Sequence, residues 1–171
     1  MMKYFYPDVY VSSIFDIPYD ELLSEGIKNI LFDIDNTLAP INVPEPGTEL
    51  IVLFNKLRDM GFSICILSNG GTGRVNVYAN ALGVPFIAKA GKPFSKGVDT
   101  ALKILNAGYS DTVIIGDQLF TDILCGKRKK IKTVLVKPIS NVEEWYVKLK
   151  RIFEKPVLAG YLRKRGYDEK R

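Results

Sequence analysis

From residue 29 onward, short apolar runs alternate with longer stretches of mixed polarity. "NILFD", "FSICIL", "PFIA", "TVII" and "KTVLV" are too short for helices and rich in β-branched or aromatic residues, which predicts strands over 29–33, 62–67, 85–88, 112–115 and 132–136. Runs that are apolar at consecutive positions suit strands buried on both faces. Between them, apolar residues recur at helical spacing and predict helices over about 48–60, 73–82, 95–107 and 119–127. Gly61, Gly83 and Gly108 follow these stretches as stops, and Ser95 stands where an N-terminus needs a cap. An N-terminal arm, about 1–28, ends in "DIPYDELLSEGIKN", a short helix with Pro18 near its start and Gly26 as its stop. Repeated strand–helix alternation predicts an α/β fold, a parallel sheet with helices on both faces. At 171 residues the chain is long enough for one full core and short for two, so a single domain is expected over 1–171.

In such a sheet, ligands gather at the carboxyl ends of the strands, where the strand order switches. The residues that follow the predicted strands form a coherent set. Asp33, Asp35 and Thr37 follow the first, Ser68 and Asn69 the second, Lys92 comes just beyond the third, and Asp117 and Asp122 follow the fourth. Burying one unpaired carboxylate costs several kcal/mol, and like charges side by side cost more. An arrangement of this kind implies a cation. Carboxylates from two strands make an all-oxygen site for a hard cation, most naturally Mg2+. Asp33 and Asp117 are the candidates for direct ligands, with Asp35 adding its backbone carbonyl and Asp122 holding a water on the ion. Mg2+ also binds phosphate oxygens, so the substrate expected is phosphorylated. Phosphoryl transfer needs positioning and charge neutralisation above all. Asp33 can attack phosphorus, Asp35 can serve as acid and then base, Ser68 can donate a hydrogen bond to a phosphoryl oxygen, and Lys92 can add positive charge.

Composition narrows the chemistry further. The chain has no histidine, which excludes a Ser-His triad, a His-ligated zinc and an imidazole proton shuttle. Cys65 and Cys125 belong to no CxxC pair and read as free thiols. The start lacks the continuous apolar stretch of a signal peptide, and no segment is apolar over a membrane-spanning length, so a cytoplasmic protein is expected. The net charge of +5 is concentrated in the basic C-terminal segment, about 142–171; Lys148 to Arg171 alone carries +6. That segment favours anionic partners: lipid headgroups, nucleic acid or an acidic protein.

The ordered set DxDxT, Ser, Lys and GDxxxxD resembles the haloacid dehalogenase (HAD) superfamily. "GIKNILFDIDNTL", "LSNGGTGRV", "AKAGKP", "IIGDQLFTDILCGKR", "TVLVKPI" and the tail "KLKRIFEKPVL" resemble its YqeG-type subgroup, the IIIA-type phosphatases, over roughly residues 5–160. Gly70, where the subgroup has a second Asn, and Gly91, before Lys92, depart from the pattern. The resemblance implies a Rossmann-like HAD fold and a Mg2+-dependent phosphatase. Asp33 is then the nucleophile, which forms an aspartyl-phosphate, and Asp35 the acid/base. It also implies a substrate, since the subgroup is related to a mitochondrial phosphatidylglycerophosphate phosphatase.

"LAPINVPEPG" and the interval from Ser68 to Lys92 are both too short for an inserted folded cap, so the site is expected to be open to a bulky substrate. A lipid headgroup is the leading substrate, with peripheral contact to an anionic membrane at its inner face. A nucleic-acid end phosphatase and a catalytically weak binding or regulatory module are the alternatives. Oligomeric state is left open. Thr37, Asn69 and Arg74 are candidate substrate contacts; Arg74 either binds a second phosphate or caps a helix. In the tail, Trp145, Tyr146, Leu149, Ile152, Phe153, Val157 and Leu158 accompany the cations. Because Pro156 breaks the segment, the favoured reading docks these apolar residues on the sheet and leaves the cations in solvent. "YFYPDVYV" is read as packing, and Lys127 to Lys130 as a solvated turn.

Overall fold

The structure, a computed structural model, describes residues 2–140 and 145–165, with backbone alone at residues 2, 3 and 146. Six strands form one parallel sheet: β1 (Val9–Val11), β2 (Asn29–Phe32), β3 (Ser63–Leu67), β4 (Phe86–Ile87), β5 (Thr112–Gly116) and β6 (Lys132–Val136). Their spatial order is β1-β6-β5-β2-β3-β4. The chain leaves β2 in one direction through β3 and β4, then returns to its other side through β5 and β6. The switch point therefore lies beside β2, between β3 and β5.

Consecutive apolar residues are needed because both faces of the sheet are covered. On one face Ile30, Phe32, Ile64, Ile66, Val113 and Ile115 pack with residues of α1 (Tyr19–Ser24), α2 (Thr48–Asp59) and α3 (Thr72–Leu82). On the other, Leu31, Cys65, Leu67 and Ile114 meet Val98, Ala101 and Leu102 of α4 (Lys96–Leu105) and Cys125 of α5 (Leu124–Arg128). Cys65 and Cys125 are both free thiols. α5 is preceded by a π-helical turn, Leu119–Ile123, so the single helix expected over 119–127 is two pieces.

Several local expectations change. The third strand contracts to Phe86–Ile87. Ser95 occupies the N-cap of α4 but its side chain makes no capping bond, and the helix stops at Asn106, left-handed at φ 52°, rather than at Gly108. The arm supplies a strand not expected from the pattern: β1 pairs with β6, and Asp8 fastens the seam by accepting from Thr133 N (2.8 Å) and Oγ1 (2.9 Å). Phe5 and Tyr6 pack edge-on against Phe120 and Tyr161, so "YFYPDVYV" is packing. Lys127 and Lys129 pair with Asp8 and Asp99 rather than standing only in solvent.

The largest correction concerns the tail. Pro156 does not break it: α6 runs from Trp145 to Arg165. Proline removes one backbone bond and crowds the preceding turn, yet Glu154 before it and Val157 and Tyr161 after it are buried and anchor both halves. Nor do the apolar residues dock as expected. Val157 packs with Leu119, Ile123 and Leu135, and Leu158 lies against that cluster. Trp145, Leu149, Ile152 and Phe153 are exposed. The Tyr146 side chain and residues 141–144 and 166–171 lie outside the described residues.

Candidate active site

At the end of β2, Asp33 N–H still donates to Ile115 O (3.0 Å), and Ile34 then turns fully into the core. Thr37 and Leu38 N–H both return to Ile34 O (3.1 and 2.9 Å), a tight turn that passes through left-handed Asn36. Asp33 and Asp35, flanking the buried Ile34, both line a cleft of about 320 Å³. Ser68, Asn69, Gly70, Arg74 and Lys92 line it too, as do Val147 and Lys150 of α6. No folded insertion interrupts the connections that follow β2 and β4.

The loops after β3 and β4 are clamped together. Asn69 Nδ2 donates to Lys92 O (3.0 Å) and Asn69 Oδ1 accepts from Lys92 N–H (2.9 Å). That clamp aims the lysine inward, where Nζ donates to Leu67 O (2.7 Å), Asp33 Oδ1 (2.8 Å) and Asp122 Oδ1 (2.6 Å). All three ammonium donors are used. Gly70 N–H donates to Ser68 Oγ (3.0 Å), and a Cβ at Gly70 would sit 3.2 Å from that oxygen, so a glycine here gives Ser68 and Asp35 room.

On the other side of β2, Asp117 follows β5, and its Oδ1 accepts from Thr37 Oγ1 (3.4 Å). Asp122 sits in the π-helical turn, and its Oδ2 accepts from Gln118 N–H (3.1 Å) and Thr121 Oγ1 (3.3 Å). Such turns concentrate at functional sites. Gly116 is obligatory here, because a Cβ at that position would overlap the Asp122 carboxylate.

Asp35 pairs with Arg74 (2.9 Å). Two more guanidinium donors go to Pro40 O (2.9 Å) and Val43 O, and the group lies 4.8 Å from the Tyr78 ring. Arg74 therefore does not cap its own helix; it ties the loop after β2 to α3 and orients Asp35.

Charge balance explains how so many ionisable groups share one interior. Burial pushes the Asp33 carboxyl up to about 7, with Lys92 opposing the rise and Asp122 adding to it. Burial also disfavours a charged Lys92, but Asp122 and Asp33 outweigh it and hold the ammonium above its ordinary range. Asp117 is raised well above the ordinary carboxylate range by burial, against the pull of Arg151. One oxygen each from Asp33, Asp117 and Asp122 lies within 4.8 Å of the others. That spacing and the all-oxygen donor set fit a divalent cation, whose opposite ligands stand about 4.2 Å apart when each is about 2.1 Å from the ion.

Arg151 and Glu154 are functional neighbours that sequence reasoning missed. Arg151 donates to Asp117 O (2.6 Å) and Glu154 Oε2 (3.0 Å) and pairs with the Asp117 carboxylate, while Glu154 Oε1 accepts from Phe120 N–H (2.9 Å). The available signal was Glu154 itself, an isolated acid in a basic stretch, three residues after an arginine.

A carboxyl-end cluster of buried aspartates around one lysine, on a parallel sheet of this order, defines a HAD-type phosphatase. The HAD-hydrolase-like family model matches residues 89–143. The cobalt-bound deoxy-D-mannose-octulosonate 8-phosphate phosphatase of Haemophilus influenzae has the same fold, with TM-score 0.51 and 16% identity over 80% of this chain and 90% of that one. The chain is 35% identical to the probable phosphatase YqeG of Bacillus subtilis (strain 168), over 96% of its own length and 95% of the relative's. It belongs to that YqeG-type family of HAD phosphatases. It is also 27% identical to phosphatidylglycerophosphate phosphatase 1, chloroplastic/mitochondrial, of Arabidopsis thaliana, over 92% of this chain and 48% of that protein.

Proposed function

We propose that residues 1–171 form one domain that hydrolyses a phosphomonoester through an aspartyl-phosphate, and that its substrate is phosphatidylglycerophosphate. The observation that carries the chemistry is Lys92 Nζ bridging Asp33 and Asp122 (2.8 and 2.6 Å) at the base of a cleft with no inserted cap. An Asp33 carboxylate oxygen attacks phosphorus as the ester P–O bond breaks, and Asp35 gives its proton to the departing oxygen. Water then attacks the aspartyl-phosphate, Asp35 takes the water's proton, and the Asp33–phosphorus bond breaks. Ser68 donates a hydrogen bond to a phosphoryl oxygen and Lys92 adds positive charge beside it, with Asn69 keeping Lys92 aimed and Thr37 orienting Asp117. Asp33, Asp117 and Asp122, with the Asp35 carbonyl, would hold Mg2+, which would supply charge neutralisation at the phosphoryl group.

The lipid assignment draws on the Arabidopsis relative and on the uncapped cleft. Phosphate release with Mg2+ from phosphatidylglycerophosphate in vesicles, from a phosphorylated oligonucleotide and from an aryl phosphate tests it, with Asp33→Asn as the blank. Asp33-dependent preference for the lipid is the expected result. Turnover of the aryl phosphate alone would remove the lipid assignment, and preference for the oligonucleotide would replace it. Unchanged turnover in Asp33→Asn would end the aspartyl mechanism.

A further inference from the structure

We infer that the outward face of α6 is a docking surface for an anionic phospholipid bilayer. The inference deepens the lipid-phosphatase reading and rests on it for the substrate's location; the surface itself is read from the helix. Trp145, Leu149, Ile152 and Phe153 are 77, 49, 61 and 60% exposed. At about 100° per residue, these four positions share one stripe, and exposed Pro156 lies along it. The opposite side of α6 buries Glu154, Val157 and Tyr161. A helix that only packs against its own domain needs one apolar face, and α6 presents a second to solvent.

Among the described residues of α6, the exposed charges have one sign. Lys148, Lys155, Arg163, Lys164 and Arg165 are exposed, and Glu154, the helix's only acid, is buried against Arg151 and Phe120. Apolar and aromatic residues flanked by exposed cations suit the interface of an anionic bilayer. A second copy of the chain would bring the same cations to the same stripe, so charge complementarity favours lipid over self-association. Among the described residues no helix is long and apolar enough to cross a membrane, so the contact is peripheral.

The helix that carries the stripe also borders the site. Val147 and Lys150 line the cleft from the helical turns that carry Trp145 and Leu149. Ile139, 51% exposed, donates its N–H to Asn36 O (3.1 Å), and Asn36 lines the cleft, so one further exposed apolar residue stands next to the site. Docking through the stripe holds the domain at the bilayer surface, where a phosphorylated headgroup is presented.

The test is sedimentation with vesicles of phosphatidylcholine alone or mixed with phosphatidylglycerol, using the full chain, Lys148→Gln/Lys155→Gln and Ile152→Glu/Phe153→Glu. None of the four positions belongs to the site, so aryl phosphate turnover stays unchanged and certifies folding. Wild type binds the mixed vesicles more tightly, and salt weakens that binding. At roughly fivefold per near-surface lysine, the lysine pair loses about 25-fold in affinity. The Ile152/Phe153 pair also weakens binding. Equal binding to both vesicle types, or variants that bind as wild type does, would overturn the docking surface. So would stripe-dependent dimerisation without vesicle binding. Stripe-dependent binding without lipid turnover would overturn the substrate reading and uphold the docking surface.

Discussion

Arg151 poses a sharp question, because it occupies a carboxylate that the proposed cation also needs. In Arg151→Ala, Asp117 and Glu154, 2 and 4% exposed in the wild type, lose the guanidinium that joins them. Removing one partner of a buried pair costs about 3–5 kcal/mol. The lower end applies here, because Asp117 is already raised well above the ordinary carboxylate range and relieves part of its charge by taking a proton. A loss of about 3 kcal/mol lowers the melting temperature of a chain this long by roughly 6–12 °C. That figure applies to protein stripped with a chelator. With Mg2+ present the gap narrows, since the variant has one positive charge fewer beside the ion, and roughly tenfold tighter Mg2+ binding is expected. Tighter binding at fixed Mg2+ means a larger thermal shift. Thermal unfolding across a Mg2+ titration therefore shows a variant that starts lower and gains more. A chelated variant melting within about 2 °C of wild type, less than 1 kcal/mol produces, would refute the buried-pair reasoning. A smaller Mg2+ gain in the variant would refute the competition.

Other perturbations act on single contacts. Lys92→Ala leaves Asp33 and Asp122 facing each other, and a loss of about 10² or more in aryl phosphate turnover is expected; a folded variant with full turnover would remove Lys92 from the site. Gly116→Ala forces the Asp122 side chain out of place, so turnover falls while far-ultraviolet circular dichroism keeps its native shape; retained turnover would show that Asp122 is not needed where it stands. Asp8→Asn weakens the β1–β6 seam by about 1–2 kcal/mol at neutral pH in urea unfolding. Burial raises the Asp8 carboxyl, but Lys127 and Thr133 outweigh it and hold it below its ordinary 3.8. Wild type's advantage is thus complete above that value and disappears as pH falls through the lower folded one; a pH-independent difference would rule out the charge as its source.

The sheet was legible because its central strands are buried on both faces, which puts apolar residues at every position of "ILF" and "ICIL". β1 was not, since its three residues are only half-buried at the sheet's edge and its pairing is set by Asp8 and Thr133, 125 residues apart in sequence. The residues that converge on the cleft were legible from their place just after the strands. Their partners were not: the Asn69–Lys92 clamp and the diversion of Arg74 to Asp35, Pro40 and Val43 depend on how loops meet, and no spacing within one segment encodes that.

The tail failed for a more instructive reason. Periodicity ranks a helix's faces by apolar content and assigns the most apolar face to the interior. α6 reverses that assignment because the surface it covers is the rim of a charged site. Asp117 and the Phe120 N–H are polar groups at its edge, and an apolar face laid over them would leave both unsatisfied at about 1–3 kcal/mol each. Arg151 and Glu154 satisfy them, so the helix turns that side inward and leaves Trp145, Leu149, Ile152 and Phe153 outside. Val157, Leu158 and Tyr161, beyond the site, pack in the ordinary way. The polar demand at the rim therefore accounts for the orientation of α6. It does not account for aromatic and aliphatic residues on the face left outside, where lysine or glutamate would be stable. Those side chains need a second apolar or interfacial surroundings, and the vesicle experiment asks whether an anionic bilayer provides it.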